Sequence, residues 1–319
     1  MRILITGGAG FIGSHLAERL LNDGHQVLVI DNLSTGKLEN METFKNHPKF
    51  SYTIGSILNR DLLESLVSQC EQVYHLAAAV GVKYIIENPL LSLKTNIVGT
   101  DNVLDLANKY KCKVLITSTS EVYGKSDQLP FHETADRLMG PTQISRWGYA
   151  TSKAVDEFYA QAFHREKKLP VVIARCFNTV GPRQTGQYGM VLPKFVKAAL
   201  LDQPIIIYGS GKQTRCFADV LDVVDAFLRL MAEKKCEGEI FNVGTTEAIS
   251  IEDLAKKVKS MCNSKSRIEY MSYEDAYEEG FEDMMHRMPN LSKIKEYIGY
   301  EPRISLDEII KRMIDYYEN

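Results

Sequence analysis

Residues 2–14 read Arg2-Ile3-Leu4-Ile5-Thr6-Gly7-Gly8-Ala9-Gly10-Phe11-Ile12-Gly13-Ser14. The first of these are apolar without polar alternation, as a strand buried on both faces should be. From Phe11 to Asn22 the apolar residues take up a helical period. Glycines 7, 10 and 13 lie between the two elements, and each has a physical task there. One makes the tight turn, one lets the backbone approach a pyrophosphate, and one lets the helix pack on the strand. The helix N-terminus then offers N–H groups and a partial positive charge to an anion.

Working outward, a second apolar run ends in Val29-Ile30-Asp31. A carboxylate about 20 residues after such a loop accepts the hydroxyls of an adenosine ribose and repels a 2′-phosphate. The two signals together predict a dinucleotide site that takes NAD rather than NADP. Strands are expected over 2–6, 26–30, 50–54, 73–76, 113–117 and 171–175, and helices over 11–22, 61–69, 90–109 and 148–166. That alternation predicts an α/β fold, a Rossmann-type doubly wound parallel sheet. After Gly181 the rhythm changes. Helical patterns over 192–201, 220–233, 251–260 and 306–317 are separated by irregular segments. We therefore expect a dinucleotide-binding domain over 1–180 and a smaller substrate-binding α/β part over 181–319. The boundary is soft and leaves room for the chain to return to the first domain. The acidic run 273–280 reads as a solvated helix face or loop.

Composition removes other function classes. Lys+Arg number 38 against 41 Asp+Glu, a net charge of −3, so neither nucleic acid nor a membrane surface is the expected partner. No apolar stretch reaches the ~18 residues of a membrane span. The first strand starts at once, without a leader pattern. The 6 cysteines (70, 112, 176, 216, 236 and 262) form no C-x-x-C pair, so a reduced cytoplasmic setting is expected. The 7 histidines show no H-x-x-x-H or H-E-x-x-H spacing, so no metal site is expected. His75 and Cys176 read as core residues; Trp147 either walls the substrate pocket or packs.

Tyr149-Ala150-Thr151-Ser152-Lys153 opens a helical pattern. Spacing i, i+4 puts Tyr149 and Lys153 on one face. A phenol titrates near 10, too high for a base at neutral pH, and an adjacent ammonium lowers that value. The pair can then take a proton from a sugar hydroxyl as hydride leaves the carbon.

With these motifs in place the chain resembles the extended short-chain dehydrogenase/reductase family, in its nucleotide-sugar epimerase, dehydratase and decarboxylase group. The resemblance runs through TGGAGFIGS (6–14), DNLSTG (31–36), HLAA (75–78), TSTSEVYG (117–124), YATSK (149–153), RCFNTVGPRQ (175–184), GSGKQTRCFADVLDVVDA (209–226) and HRMPNLSK (286–293). It implies that Gly7, Gly10, Phe11, Ile12 and Gly13 line the NAD pyrophosphate, and that Asp31, Asn32, Ser34 and Gly36 meet the adenosine. Leu76, Ala77 and Ala78 would border the cofactor, and Lys153 would also hold its ribose. Ser56 and Ile57 fall at the adenine, where many relatives carry Asp in place of Ser56. Thr119 would hydrogen-bond the sugar O4 beside Tyr149. Asn178, Arg183 and Arg215 look like nucleotide-sugar ligands, and Arg287 like a ligand of the diphosphate or of a substrate carboxylate. Helices 90–109 and 147–166 resemble those that pair relatives into homodimers.

The shared first step of these relatives is oxidation at sugar C4. Ser120 and Glu121 occupy the positions that bear on the fate of the resulting ketone. Ser is a poor acid for expelling water, which weakens the dTDP-glucose-type dehydratase reading, although GDP-mannose dehydratases carry a similar Ser-Glu pair. Ser-Glu-Val-Tyr-Gly is shared with UDP-glucuronate decarboxylases, whereas 181–186 and 188–190 resemble 4-epimerases. The leading expectation is NAD-dependent 4-epimerisation of a UDP-hexose or UDP-hexuronate. Decarboxylation of UDP-glucuronate is the alternative, followed by 4,6-dehydration or simple 4-oxidation. A non-catalytic NAD sensor is disfavoured by intact Thr119, Tyr149 and Lys153.

Overall fold

The computed structural model describes residues 1–186, 190–276 and 284–318. The first half runs β1 (Arg2–Thr6), α1 (Phe11–Asn22), β2 (Gln26–Asp31), β3 (Phe50–Ile54), α2 (Arg60–Val67), β4 (Gln72–His75), α3 (Val82–Glu87), α4 (Pro89–Tyr110), β5 (Lys113–Thr119), α5 (Arg146–Lys167) and β6 (Val171–Cys176). These strands and Ile240–Val243 form one seven-stranded sheet. Its order from the far edge is Ile240–Val243, β6, β5, β4, β1, β2, β3, with every neighbouring pair parallel. The Rossmann-type doubly wound architecture is therefore present as expected.

The apolar strands are long-range glue because helices cover both faces. On one face Leu16 and Leu20 of α1 join Val223 and Phe227 of the helix Val220–Ala232, with Ile3, Ile5 and Val29 beneath. On the other, Leu63, Val103, Leu104 and Ala160 of α2, α4 and α5 cover Leu4, Ile30 and Ile116. Strand order reverses between β1 and β4. The loops leaving those two strands splay apart there, which opens a crevice at their carboxyl ends.

A buried charge cluster fastens the second half of the sheet. Arg175 of β6 donates to both oxygens of Glu157 on α5, at 2.9 and 2.7 Å, and to the Tyr123 hydroxyl at 2.9 Å. Tyr123 in turn donates to Asn242 at 2.7 Å. A planar guanidinium meeting a carboxylate through two parallel bonds fixes orientation as well as distance.

Beyond residue 180 the chain does two things. The helix Val220–Ala232 and the strand Ile240–Val243 return to the large sheet. The helices Val191–Leu200, Ile251–Met261 and Leu306–Glu318 build a separate core from Leu192, Phe195, Leu254, Val258, Ile309 and Ile310. Beside that core, Thr214–Cys216 pairs with Ala248–Ser250 and with His286–Arg287. Residues 277–280 of the acidic run, and Tyr188 and Gly189, lie outside the described residues. Among the described residues no helix is long and apolar enough to cross a membrane.

Candidate active site

A cleft of about 570 Å³ follows the crevice and continues under the C-terminal elements. Its floor at one end is the glycine loop. Gly7 has a φ of +74°, and a Cβ there would come within 2.8 Å of the Ala77 nitrogen. A Cβ on Gly13 would lie 2.3 Å from the Gly7 carbonyl oxygen, so helix and loop touch only because that side chain is missing. Gly10 caps α1 in an extended conformation, without a side-chain cap and with no acid in the first turn. The first N–H groups of α1 are thus left for an anion, and the loop fits a dinucleotide pyrophosphate.

Asp31 closes this end. Its Oδ1 accepts from the Leu33 N–H at 2.8 Å and its Oδ2 from the Ala9 N–H at 3.0 Å. Burial pushes its pKa up, against those backbone bonds. Each oxygen still has a lone pair to offer a ribose hydroxyl. Phe11, Ile12, Asn32, Ser34, Ser56, Ile57, Leu76, Ala77 and Ala78 line the same cleft. Ser56 Oγ accepts from the Leu58 N–H at 3.2 Å and keeps its proton for a partner. Gly36 packs against Asp31, where a Cβ would fall 2.9 Å from both carboxylate oxygens.

Midway along the cleft, β5 ends at Thr119 and α5 brings Tyr149 to the same spot. The Thr119 hydroxyl accepts from the Glu121 N–H at 3.2 Å and hydrogen-bonds the Tyr149 phenol. Lys153, expected to make the phenol acidic, donates its ammonium to Asp156 at 2.6 Å in this structure. Burial pushes the Tyr149 pKa upward, and the nearby anions of Glu121 and Asp156 add to the shift, while the Thr119 bond opposes it.

Ser120 is buried at the lip of the same turn. Glu121 beside it is approached by two guanidiniums, Arg287 Nη1 at 3.3 Å and Arg146 Nη2 at 3.8 Å from the same oxygen. Both arginines are buried and both line the cleft. The motif reading did not single out Arg146 as a site residue, although its place three residues before Tyr149 was a usable signal.

At the far end, Arg215 and Arg287 are register partners on adjacent parallel strands. Arg215 donates to the carbonyls of Thr214 at 2.8 Å and Met285 at 3.3 Å, and Asn178 donates to Cys216 O at 3.3 Å. Arg183 lines the cleft, but its guanidinium is pulled toward α1. It bonds Glu18 at 2.6 Å and lies over the Phe44 ring. Gln213, Tyr208 and Lys194 also line this end and were not read from the sequence. Trp147 packs with Phe131, Ala150 and Phe177 rather than lining the cleft.

A family model described as GDP-mannose 4,6 dehydratase matches residues 4–313. The UDP-N-acetyl-alpha-D-glucosaminuronate decarboxylase of Bacillus cytotoxicus is 42% identical over 321 residues, covering 99% of this chain and 97% of its own. UDP-glucuronic acid decarboxylase 4 of Arabidopsis thaliana is 37% identical, over 98% of this chain and 68% of its own. Among solved structures, the UDP-glucose 4-epimerase of Thermotoga maritima with UDP-glucose superposes with a TM-score of 0.89 at 33% identity, covering 100% and 99% of the two chains. The UDP-glucuronic acid 4-epimerase of Bacillus cereus, in complex with UDP-glucuronic acid and NAD, gives 0.89 at 29% identity over 100% and 99%. With its glycine loop, Tyr149 and Lys153 set along one cleft, the chain belongs to the GDP-mannose 4,6 dehydratase family, and so to the extended short-chain dehydrogenase/reductase enzymes that modify nucleotide sugars.

Proposed function

We propose that this enzyme decarboxylates a UDP-linked hexuronate after transient oxidation at C4, with NAD held in the glycine-loop end of the cleft. The observation that carries this reading is the pair of buried guanidiniums, Arg146 and Arg287, converging on Glu121 beside Thr119. In this reading the C6 carboxylate of the substrate sits against these guanidiniums, whose planar fork suits a carboxylate. The activities of the similar decarboxylases from Bacillus cytotoxicus and Arabidopsis thaliana support the same outcome.

Gly7, Gly10, Phe11, Ile12 and Gly13 would hold the pyrophosphate of NAD and Asp31 its adenosine ribose, and bound there NAD supplies a reversible hydride acceptor for sugar C4. The chain's own residues handle the protons. Thr119 orients the C4 hydroxyl, and Tyr149 takes its proton at the phenolic oxygen. Once C4 is a ketone, a C6 carboxylate is β to it. The C5–C6 bond can then release carbon dioxide, with its electron pair passing toward the C4 oxygen. Tyr149 would protonate that oxygen, and Glu121 would supply the proton that C5 must next gain. Arg287 and Arg146 hold the acid in place.

Incubation with UDP-glucuronate, UDP-N-acetylglucosaminuronate and UDP-glucose, with the product mass then measured, tests the proposal. Loss of carbon dioxide from a uronate is the expected result. An isomer of unchanged mass would establish epimerisation instead, and loss of water dehydration.

A further inference from the structure

Asp156 has no place in the chemistry above, yet it makes the closest contact of any side chain to the reaction floor's lysine. Its Oδ2 accepts from Lys153 Nζ at 2.6 Å, and the two side chains are 0% and 3% exposed. A buried ion pair is a poor device for stability alone, since apolar residues of similar volume do as well or better. Its position on α5, close to Tyr149, suggests a different task.

The surroundings narrow that task. Burial pushes the Asp156 pKa up, against the Lys153 ammonium and the Thr100 hydroxyl of α4, which favour its anion; that hydroxyl also pairs with His75 Nε2 of β4 at 2.9 Å. His75 stays uncharged, because burial and then Lys153 bring its pKa down to about 3. From β6, burial pushes the Cys176 thiol up to about 12, so it adds no charge at neutral pH. Glu157, next on α5, is engaged by Arg175. Glu121 is approached by Arg146 and Arg287. Asp156 is therefore the carboxylate that faces Lys153 directly, while Tyr149 shares the same enclosed space.

We propose that Asp156 is a positioning residue for the Tyr149–Lys153 pair: its carboxylate holds the ammonium away from the phenol and sets the pH range over which Tyr149 accepts a proton. This rests on Tyr149 being the proton acceptor, and not on which product C4 oxidation leads to. With Asp156 charged, the field of Lys153 is largely cancelled at the phenol. With the charge removed, the ammonium acts on the phenol unopposed.

The test uses the full-length enzyme with NAD and the turned-over nucleotide sugar. Asp156→Asn keeps the shape and deletes the charge, and Asp156→Ser does so without overpacking. In both, the low-pH limb of kcat/KM should move to lower pH by about one unit, while NAD affinity, read by fluorescence of the single Trp147, changes less than about threefold. An unmoved limb in folded, active variants would make Asp156 purely structural and overturn the proposal. A limb moved to higher pH would also overturn it, showing that the carboxylate's main effect is to keep Lys153 protonated. Tyr149→Phe separates the parent reading: full turnover in that variant would remove Tyr149 from proton transfer, whatever Asp156 does.

Discussion

Arg287→Met tests the assignment of the uronate carboxylate. Arg287 comes from the strand His286–Arg287, beside Arg215, but its Nη1 reaches forward to within 3.3 Å of Glu121. Glu121 is two residues from Thr119, whose hydroxyl meets Tyr149. On the proposed reading the guanidinium serves the reacting end of the sugar, and the diphosphate falls to Arg215 behind it. A hydrogen bond to a charged group contributes about 1.5–3 kcal/mol, which is about 10- to 150-fold in kcat/KM. The assay compares three ligands. Turnover of the UDP-hexuronate should fall by that factor, while the dissociation constants of UDP and UDP-glucose move by less than about threefold. NAD affinity should not change, because the glycine loop lies at the other end of the cleft. If UDP alone loses affinity as steeply as the uronate, Arg287 holds the diphosphate and the case for a carboxylate grip fails.

Packing gives two further outcomes. Gly13→Ala places a Cβ 2.3 Å from the Gly7 oxygen and 2.7 Å from Gly8 Cα. Both are backbone atoms that cannot give way cheaply, so a loss of about 1–3 kcal/mol in stability is expected, together with weaker NAD binding by calorimetry. Unchanged stability and affinity would show that the loop and α1 are not in contact as described. Leu90, Leu91 and Val98 on α4 and Phe158 on α5 are large and exposed, Phe158 by 67%. We propose that this face pairs two copies of the chain. Phe158→Glu should convert a dimer of 36.1 kDa chains to monomers in sedimentation, and a wild-type monomer would exclude the pairing.

The parts legible from sequence are those whose cause is local. Ile3, Leu4 and Ile5 are wholly buried, and an uninterrupted apolar run of this kind is met by a strand covered on both faces. The glycine loop and α1 are set by the same stretch, and the helix spans Phe11–Asn22 as expected. The strand Ile240–Val243 was not legible. Its Asn242 is polar and fully buried, satisfied by Tyr123, Glu133 and Phe131 from more than a hundred residues away. No window of sequence contains those partners. Arg183 fails for the same reason: its partner Glu18 is on α1, 165 residues earlier. Lys153 is a different case. Both candidate partners, Tyr149 and Asp156, were within about one turn of it, and periodicity allows either. Only the packing of α4 and β4 against α5 decides that the ammonium turns to the carboxylate.

That choice bears on how one floor can serve several reactions. Thr119, Tyr149 and Lys153 can do no more than open and close the C4 carbinol, and nothing in their geometry selects a product. Selection must come from the groups around the sugar ring after oxidation. Here Arg146 and Arg287 are buried at one wall with Glu121 between them, and Ser120 lies beside it. On the proposed reading, a wall of this kind would stabilise an acid at C6 before bond breaking. On the proposed reading, the charge of that wall, rather than the shared hydride chemistry, is the physical quantity that sets the outcome at C5.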